Sequence, residues 1–438
     1  MSDMRIRKLP DKSLDLLGYS VDTSYKSCYY SAVFRLTSKT KKIRTGLLKT
    51  KSGVTHTPFF MPIATKGAVK NVSSEDLKDM GAEIILGNTY HLWLRPGEDV
   101  IKKAGGLHRF MNWHGSILTD SGGYQVFSLG SRAEKKFGKS GVSINEDGVE
   151  FIDPVDGRKH FMSPEKSIDI QLDLGSDIIM VLDECPPFPC SYEKARESME
   201  LTLRWAERCK KHFEKKTGSK LSARNSRQTR NLKIKNKNLP NRPLLFGIVQ
   251  GSVYEDLRKE CAERLVKIGF DGYAIGGVAV GEPRKHLYEI LGWLAPVLPE
   301  DKPRYLMGLG KPEEIISAVM NGIDMFDCVI PTREGRHGRL FVWKIDPNDP
   351  ALFSSLAKGL FYETKNISNE RFKKDFTPID TYCDCYVCRN YTKSYLHYLL
   401  RTNEPLFLNL ASIHNLNFYI ILMKILAKRK NSYDDTYH

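Results

Sequence analysis

From about Phe34 onward the chain alternates short apolar runs with longer amphipathic stretches. The runs are Ala82–Leu86, Ile117–Thr119, Asp177–Leu182, Leu244–Val249, Gly272–Ile275, Arg304–Met307 and Asp324–Phe326. Several are apolar throughout rather than alternating, which is how parallel strands buried on both faces read. Helical spacing fills the gaps at Tyr192–Phe213, Tyr254–Ile268, Pro283–Leu291 and Lys311–Met320. A further helix opens at Ser163-Pro164-Glu165, an N-cap followed by a first-turn proline and an acid, and Gly175 closes it. Repeated strand–helix units imply a parallel sheet, and their number predicts an α/β chain folded as a (β/α)₈ barrel rather than a doubly wound layer. Residues 1–33 carry no strong pattern and read as a variable lead-in, with the barrel domain spanning 34–438.

The residues immediately after each run are as regular as the runs themselves. Ile117–Thr119 leads into Asp120-Ser121-Gly122-Gly123-Tyr124-Gln125, and Asp177–Leu182 into Asp183, Glu184 and Cys185. Leu244–Val249 is followed by Gln250 and Gly251, Gly272–Ile275 by Gly276 and Gly277, and Met307 by Gly308-Leu309-Gly310. The last run ends in Asp327, after which Pro331 breaks the pattern and Arg333 and Arg336 flank Gly335 in a predicted basic loop. An acid beside such a loop suits a phosphate-bearing substrate. The blander reading is a carboxylate satisfied by its own loop arginines. In a (β/α)₈ barrel all strand ends share one face, and that face carries the active site. Three carboxylates, an amide and several glycines then line one pocket.

Two carboxylates on such a face fit chemistry at a glycosidic bond, one attacking or stabilising an oxocarbenium-like carbon and the other moving the leaving-group proton. Asp327 and Asp120 are the candidates. Asp183, Gln250 and the backbone at Gly277 offer the acceptors, the donor and the close approach that the edge of a purine needs. Tyr124 and Met307 could sandwich a flat ring, although packing is the ordinary role of both types.

Composition adds two points. Hydrophobic residues make up 41% of 438, enough for a full core, and no apolar run of about 18 residues is evident, so no membrane span is expected. The N-terminus is charged without an apolar core, so no secretory signal is evident. The formal charge of +15 points to a polyanion, but Lys215 to Arg242 holds ten Lys/Arg and no acid. Without that segment the chain carries about +5, and whole-chain charge becomes a weak argument. The segment, 214–243 with its flanks, reads as a basic mobile insertion. Nine cysteines, three of them within Cys383–Cys388, suit a metal in a reducing, cytoplasmic compartment better than disulfides. Cys383, Cys385 and Cys388 with one histidine make a structural zinc set with no open position. His414 and His397 both remain available as the fourth ligand.

Together the motifs are distinctive. TDSGGYQVFSL from Thr119, LDECPPFP from Leu182, GIVQGSV from Gly247, GYAIGGVAVGE from Gly272, YLMGLGKPEEI from Tyr305 and GIDMFDCVIPTREGR from Gly322 closely resemble the tRNA-guanine transglycosylases. So does the cysteine cluster with the later pair His414-Asn415, and the resemblance runs from about Phe34 to Lys424. It implies a TIM barrel with a zinc-binding subdomain at 376–430 and an RNA base exchange without a redox cofactor. Asp327 is then the nucleophile towards C1′ of the wobble guanosine of a tRNA anticodon loop, and Asp120 the general acid/base. Asp120, Ser121, Gly122, Gly123, Tyr124, Asp183, Gln250, Gly277, Val278 and Met307 correspond to the base site. Gly308, Leu309, Gly310, Lys311, Pro312, Glu313, Glu314, Thr332, Arg333, Glu334, Gly335 and Arg336 correspond to stretches used against RNA. His414 becomes the fourth ligand of one structural zinc.

Cys185 and Val280 are similar to the bacterial form, which inserts 7-aminomethyl-7-deazaguanine, with the Val278 carbonyl and Glu282 near its aminomethyl group. The resemblance further implies a homodimer acting on the GU(N) tRNAs for Asp, Asn, His and Tyr. A queuine-inserting form and a non-catalytic zinc-bearing RNA-binding subunit are the alternatives, with a retaining glycoside hydrolase the rival on the same barrel. The lead-in and the basic insertion depart from the usual pattern, as does an end soon after the zinc region, which is expected to weaken tRNA grip or dimer stability.

Overall fold

The structure, a computed structural model, describes residues 32–39, 43–126, 141–153, 155–219, 240–278, 280–356 and 358–428. Its centre is a parallel sheet whose segments neighbour one another in the order Phe59–Met61, Met325–Asp327, Arg304–Leu306, Gly272–Ile275, Leu244–Val249, Ile178–Met180, Ser116–Thr119, Ile84–Gly87 and Ile63–Ala64. The two outermost segments are consecutive in the chain, separated only by Pro62. Asp327 pairs with Met61 on one side, and Ile63 pairs with Leu86 on the other. Residues 59–64 are thus one strand bent at a proline, and it closes the ring as the eighth. The predicted (β/α)₈ barrel is present. Its closing strand was hidden because proline cannot donate to the ladder and splits the apolar run.

Seven predicted runs became strands, shifted by a residue or two at their ends. At the last, Asp327 is the final residue of its strand, where the run was expected to end. Leu244–Val249 is buried at every position, as a strand covered on both faces should be. The helix Pro164–Leu174 begins on the Ser163 cap, whose hydroxyl accepts from the Lys166 N–H, and ends at Gly175 with φ 74°.

Other elements lay outside the pattern. Three short antiparallel sheets flank the barrel: Phe34–Lys39 with Arg44–Lys49 and Val54–Thr57, Val142–Ile144 with Val149–Ile152 and Lys159–Met162, and Arg339–Trp343 with Tyr362–Asn366. The predicted basic loop after Asp327 is instead the helix Ile330–Arg336. Pro331 sits in its first turn, where a missing N–H costs nothing, so the residue that looked like a breaker is a starter.

The helix Pro405–Lys428 is an apolar element that the reading of short runs did not single out. By length and composition it could cross a membrane, with a mean hydropathy of 1.4 over its best 18 residues. However, 78% of that window is buried inside the protein. It packs on the strand Phe59–Met61, the helix Ile330–Arg336 and the strand Arg339–Trp343, which is the behaviour of a core helix. Asn415 on it bonds Pro331 O at 3.0 Å, Arg339 O at 2.9 Å and the Phe341 N–H at 3.0 Å. Tyr419 donates to Gly310 O at 2.7 Å. Both segments flanking Asp327 are therefore fastened to this helix.

The basic segment is folded at both edges. The helix Tyr192–Thr217 takes in Lys215 and Lys216, with Lys216 paired to Asp169 at 3.0 Å, and Arg242 pairs with Asp271 at 2.6 Å. Residues 220–239 of the expected insertion, and most of the lead-in, lie outside the described residues.

Candidate active site

At the carboxyl ends of the barrel strands lies a cavity of about 360 Å³. Asp120, Ser121, Tyr124, Asp183, Gln250, Gly277, Val278, Met307, Gly308 and Asp327 line it, together with Cys185 and Val280. Ten expected residues, drawn from six strand ends, are brought to one place. Gly122 and Gly123 are not in the lining. Gly122 turns the chain at φ 84°, and a Cβ on Gly123 would come within 2.8 Å of Asp183 O. Both are buried beside the lining residues Ser121 and Tyr124.

The carboxylates differ in their partners. Asp120 accepts the Thr89 N–H at 2.8 Å on Oδ1, and the Gln125 amide at 2.7 Å with Asn88 on Oδ2. Burial pushes it up to about 6 against those hydrogen bonds, and the negative charge of Asp327 adds to the rise. Asp183 accepts the Gln250 amide at 2.7 Å and the Ser121 hydroxyl at 3.1 Å, and burial likewise pushes it up to about 6. Asp327 takes both its donors on one oxygen, Oδ1: the Tyr305 hydroxyl and the Gly308 N–H at 2.8 Å. Among the described residues nothing donates to Oδ2. Burial raises its pKa too, while those two donors oppose the rise.

This arrangement excludes the bland reading of Asp327, because its carboxylate is held by Tyr305 and Gly308 and not by Arg333 or Arg336. Gln250 Oε1 and Gln125 Oε1 are buried and, among the described residues, have no hydrogen-bond partner. Buried amide oxygens of this kind are acceptors waiting for a ligand's N–H.

Sequence reasoning gave no role to Asn88, Gln125 or Tyr305. Asn88 follows the strand Ile84–Gly87, so the strand-end rule already contained it. Gln125 lay within a quoted motif. Tyr305 sits inside an apolar run, and nothing in that pattern says that its hydroxyl reaches the mouth.

The stretches expected to meet RNA divide by exposure. Gly308, Lys311 and Arg333 are exposed, and Glu313, Glu334 and Arg336 half-buried. Leu309, Gly310, Pro312, Glu314, Thr332 and Gly335 are buried. Glu314 is turned inward to the Lys311 N–H and to Arg284, each at 3.0 Å. Gly335 is packed so that a Cβ would meet Ala411 O at 2.9 Å.

Cys383, Cys385, Cys388 and His414 are all buried, their ligand atoms within 4.8 Å of one another. His414 Nδ1 is 3.6 Å from Cys385 Sγ and 3.4 Å from Cys388 Sγ. Thiolates about 2.3 Å from a tetrahedral zinc stand about 3.7 Å apart, so the spacing is compatible with one ion. His414 Nε2 lies 2.7 Å from Phe341 O, which assigns the proton to Nε2 and leaves Nδ1 free to ligate. His397 is instead spent on Ile367 O at 2.9 Å. Asp153, Asp156 and His160 also cluster, but Arg95 already pairs with both acids.

A family model described as "Queuine tRNA-ribosyltransferase" matches residues 39–430. A protein of that description from Vibrio parahaemolyticus is 50% identical over 395 residues, covering 90% of this chain and 92% of the relative. One from Tolumonas auensis is 49% identical over 391 residues, covering 89% and 91% respectively. No helix among the described residues other than Pro405–Lys428 is long and apolar enough to cross a membrane.

Proposed function

The chain belongs to the bacterial queuine tRNA-ribosyltransferase (tRNA-guanine transglycosylase) family and is a pentosyltransferase; on that premise we propose that it exchanges guanine at the wobble position of GU(N) tRNAs for 7-aminomethyl-7-deazaguanine through a covalent Asp327–ribosyl intermediate. The observation that carries the reading is one cavity holding Asp120 and Asp327, with an Asp327 oxygen to which no described residue donates.

Asp327 Oδ2 attacks C1′ of the ribose, and the bond from C1′ to the guanine nitrogen breaks. Asp120, which burial keeps partly protonated near pH 6, gives its proton to the departing base. The incoming base then loses its ring N–H proton to the Asp120 carboxylate, its nitrogen bonds to C1′, and Asp327 is released. Two inversions retain the ribosidic configuration, and no electrons are gained or lost, so the reading needs no redox cofactor. Walls that exclude water protect the glycosyl ester from hydrolysis.

Asp183, Gln250 and the Gly277 backbone read the edge of the base, between Tyr124 and Met307. Cys185 and Val280 shape the part of the cavity that receives the 7-substituent, and the Val278 carbonyl reads its amine. Lys311, Arg333 and Arg336 supply cations for the anticodon loop, since phosphate contacts dominate RNA affinity. Cys383, Cys385, Cys388 and His414 hold one zinc, whose contribution is to the fold of the C-terminal subdomain. The enzyme acts as a cytoplasmic homodimer in this reading.

The test is incubation with unmodified tRNA and labelled guanine, followed by counting label in the RNA. Label should enter the parental RNA, and a covalent RNA adduct should run on denaturing gels. An unlabelled RNA, or an adduct that persists in Asp327→Asn, would overturn the assignment. Competition between 7-aminomethyl-7-deazaguanine and queuine in the same assay distinguishes the two inserting forms.

A further inference from the structure

Arg258 is fully buried, on the helix Glu255–Ile268, and among the described residues it makes no ion pair. Its guanidinium is spent on main-chain carbonyls alone. Nε donates to Ser252 O at 2.7 Å, Nη1 to Val249 O at 3.0 Å and to Gly276 O at 2.6 Å, and Nη2 to Gly277 O at 2.9 Å. Val249 and Gly276 stand at the ends of neighbouring barrel strands, and Gln250 and Gly277 come next in the chain. One planar fork thus bridges the two loops assigned to the edge of the base. Burial depresses its pKa to about 10, opposed only by Cys261, Cys185 and Glu282. An uncompensated buried cation is costly, and such groups mark places where geometry is being enforced.

The geometry has a chemical result. The peptides after Gly276 and Gly277 are not among the cis bonds, so each carbonyl is antiparallel to the N–H of the next residue. Both carbonyls are turned onto Arg258. The N–H groups of Gly277 and Val278 therefore point the other way, towards the cavity that Gly276, Gly277 and Val278 line and Arg258 does not. Among the described residues neither N–H has a protein acceptor. A Cβ at Gly277, whose φ is 60°, would lie 2.4 Å from Gln250 Oε1, so only a glycine lets the backbone approach the base site here.

We infer that Arg258 is a positioning residue for base selectivity: by holding the Gly276 and Gly277 carbonyls it presents two backbone donors to the ring carbonyl of a 6-oxopurine or its 7-deaza analogue. A 6-amino base places a donor against those donors and is rejected. The inference rests on the transglycosylase reading and deepens it.

The experiment compares the parental protein with Arg258→Lys and Arg258→Ala in labelled-base exchange into unmodified tRNA. Guanine, hypoxanthine and adenine are the competing bases, and thermal melts run alongside. Lysine has one ammonium and cannot fork to four carbonyls. Its KM for guanine should rise about 10²-fold, the scale of a misplaced contact, while the KM for tRNA stays unchanged. Its preference for guanine and hypoxanthine over adenine should narrow. Low guanidinium concentrations should recover guanine exchange in Arg258→Ala by refilling the vacated site. A folded Arg258→Lys protein with parental guanine KM and base preference would overturn the inference and leave the transglycosylase reading intact. So would loss of folding in both variants without recovery by guanidinium, which would assign the arginine to folding alone. No label uptake by the parental protein would remove both readings together.

Discussion

Asp324 and Asp327 sit three residues apart at the two ends of one barrel strand, both buried and both with pKa values raised by burial. Asp324, at the foot, is saturated. Arg44 reaches its two oxygens with Nε and Nη2, each at 3.0 Å, and the Arg304 N–H adds a third contact at 2.8 Å. Asp327, at the mouth, has donors on one oxygen only among the described residues. Residue type, strand and burial are shared, and only the partners differ. A carboxylate whose acceptor sites are filled by a cation is part of the scaffold, whereas one with an oxygen left over can form a bond.

The sharpest way to break this contrast is to neutralise each acid in turn. Asp327→Asn should abolish the covalent RNA adduct and lower exchange by about 10⁴-fold or more, the usual loss when a nucleophile is removed. Its melting temperature should not fall, because the substitution removes a desolvated charge that has no cationic partner among the described residues. An adduct surviving in that variant would move the nucleophile elsewhere. Asp324→Asn should behave oppositely. It leaves the Arg44 charge buried without its partner, a loss of about 3–5 kcal/mol of stability, read by denaturant unfolding. Exchange per folded molecule should hold. Equal stability losses in the two variants would show that the ends of the strand are not distinguished in this way.

Asp120 extends the comparison to pH. Its folded pKa of about 6 lies above its ordinary value, so the proton needed by the departing guanine is present below pH 6 and lost above it. Adduct formation in a single turnover should therefore decline as pH rises through about 6, towards tenfold per unit. Asp120→Asn should lose about 10²–10⁴-fold and show no such decline, as expected of a missing general acid. A parental profile flat from pH 5 to 8 would detach Asp120 from proton transfer.

Much of this pocket was legible in the chain because a barrel turns a one-dimensional regularity into a place. Each buried run is followed by the residue that faces the mouth, so Asp120, Asp183, Gln250, Gly277 and Asp327 could be grouped before any coordinates. Where a residue's meaning depends on context the pattern failed. Pro62 splits a strand and Pro331 starts a helix, yet along the sequence both read as breaks. Gly310, Pro331 and Gly335 are covered by the helix Pro405–Lys428, about a hundred residues later, and no local spacing encodes that cover. His414 and His397 were equivalent by residue type. Position beside the three cysteines decides between them, and Phe341, whose carbonyl holds His414, lies on a strand the periodicity did not reveal.

The smallest effect belongs to Tyr305, the residue that the apolar run concealed. Its hydroxyl donates to Asp327 Oδ1 and, with the Gly308 N–H, lowers a pKa that burial raises. Tyr305→Phe removes one donor without opening space, so two consequences oppose each other. The carboxylate becomes more basic and a better nucleophile when ionised, but it is ionised over a narrower range. The sign is fixed by the direction of the shift. A higher Asp327 pKa moves the acid limb of adduct formation upward, so the variant should lose most at low pH, about tenfold there for one hydrogen bond to a charged group, and little at pH 8. A loss of equal size at every pH would mean that the hydroxyl orients the carboxylate rather than tuning its charge. In that case the contrast between the two ends of the strand would rest on geometry alone.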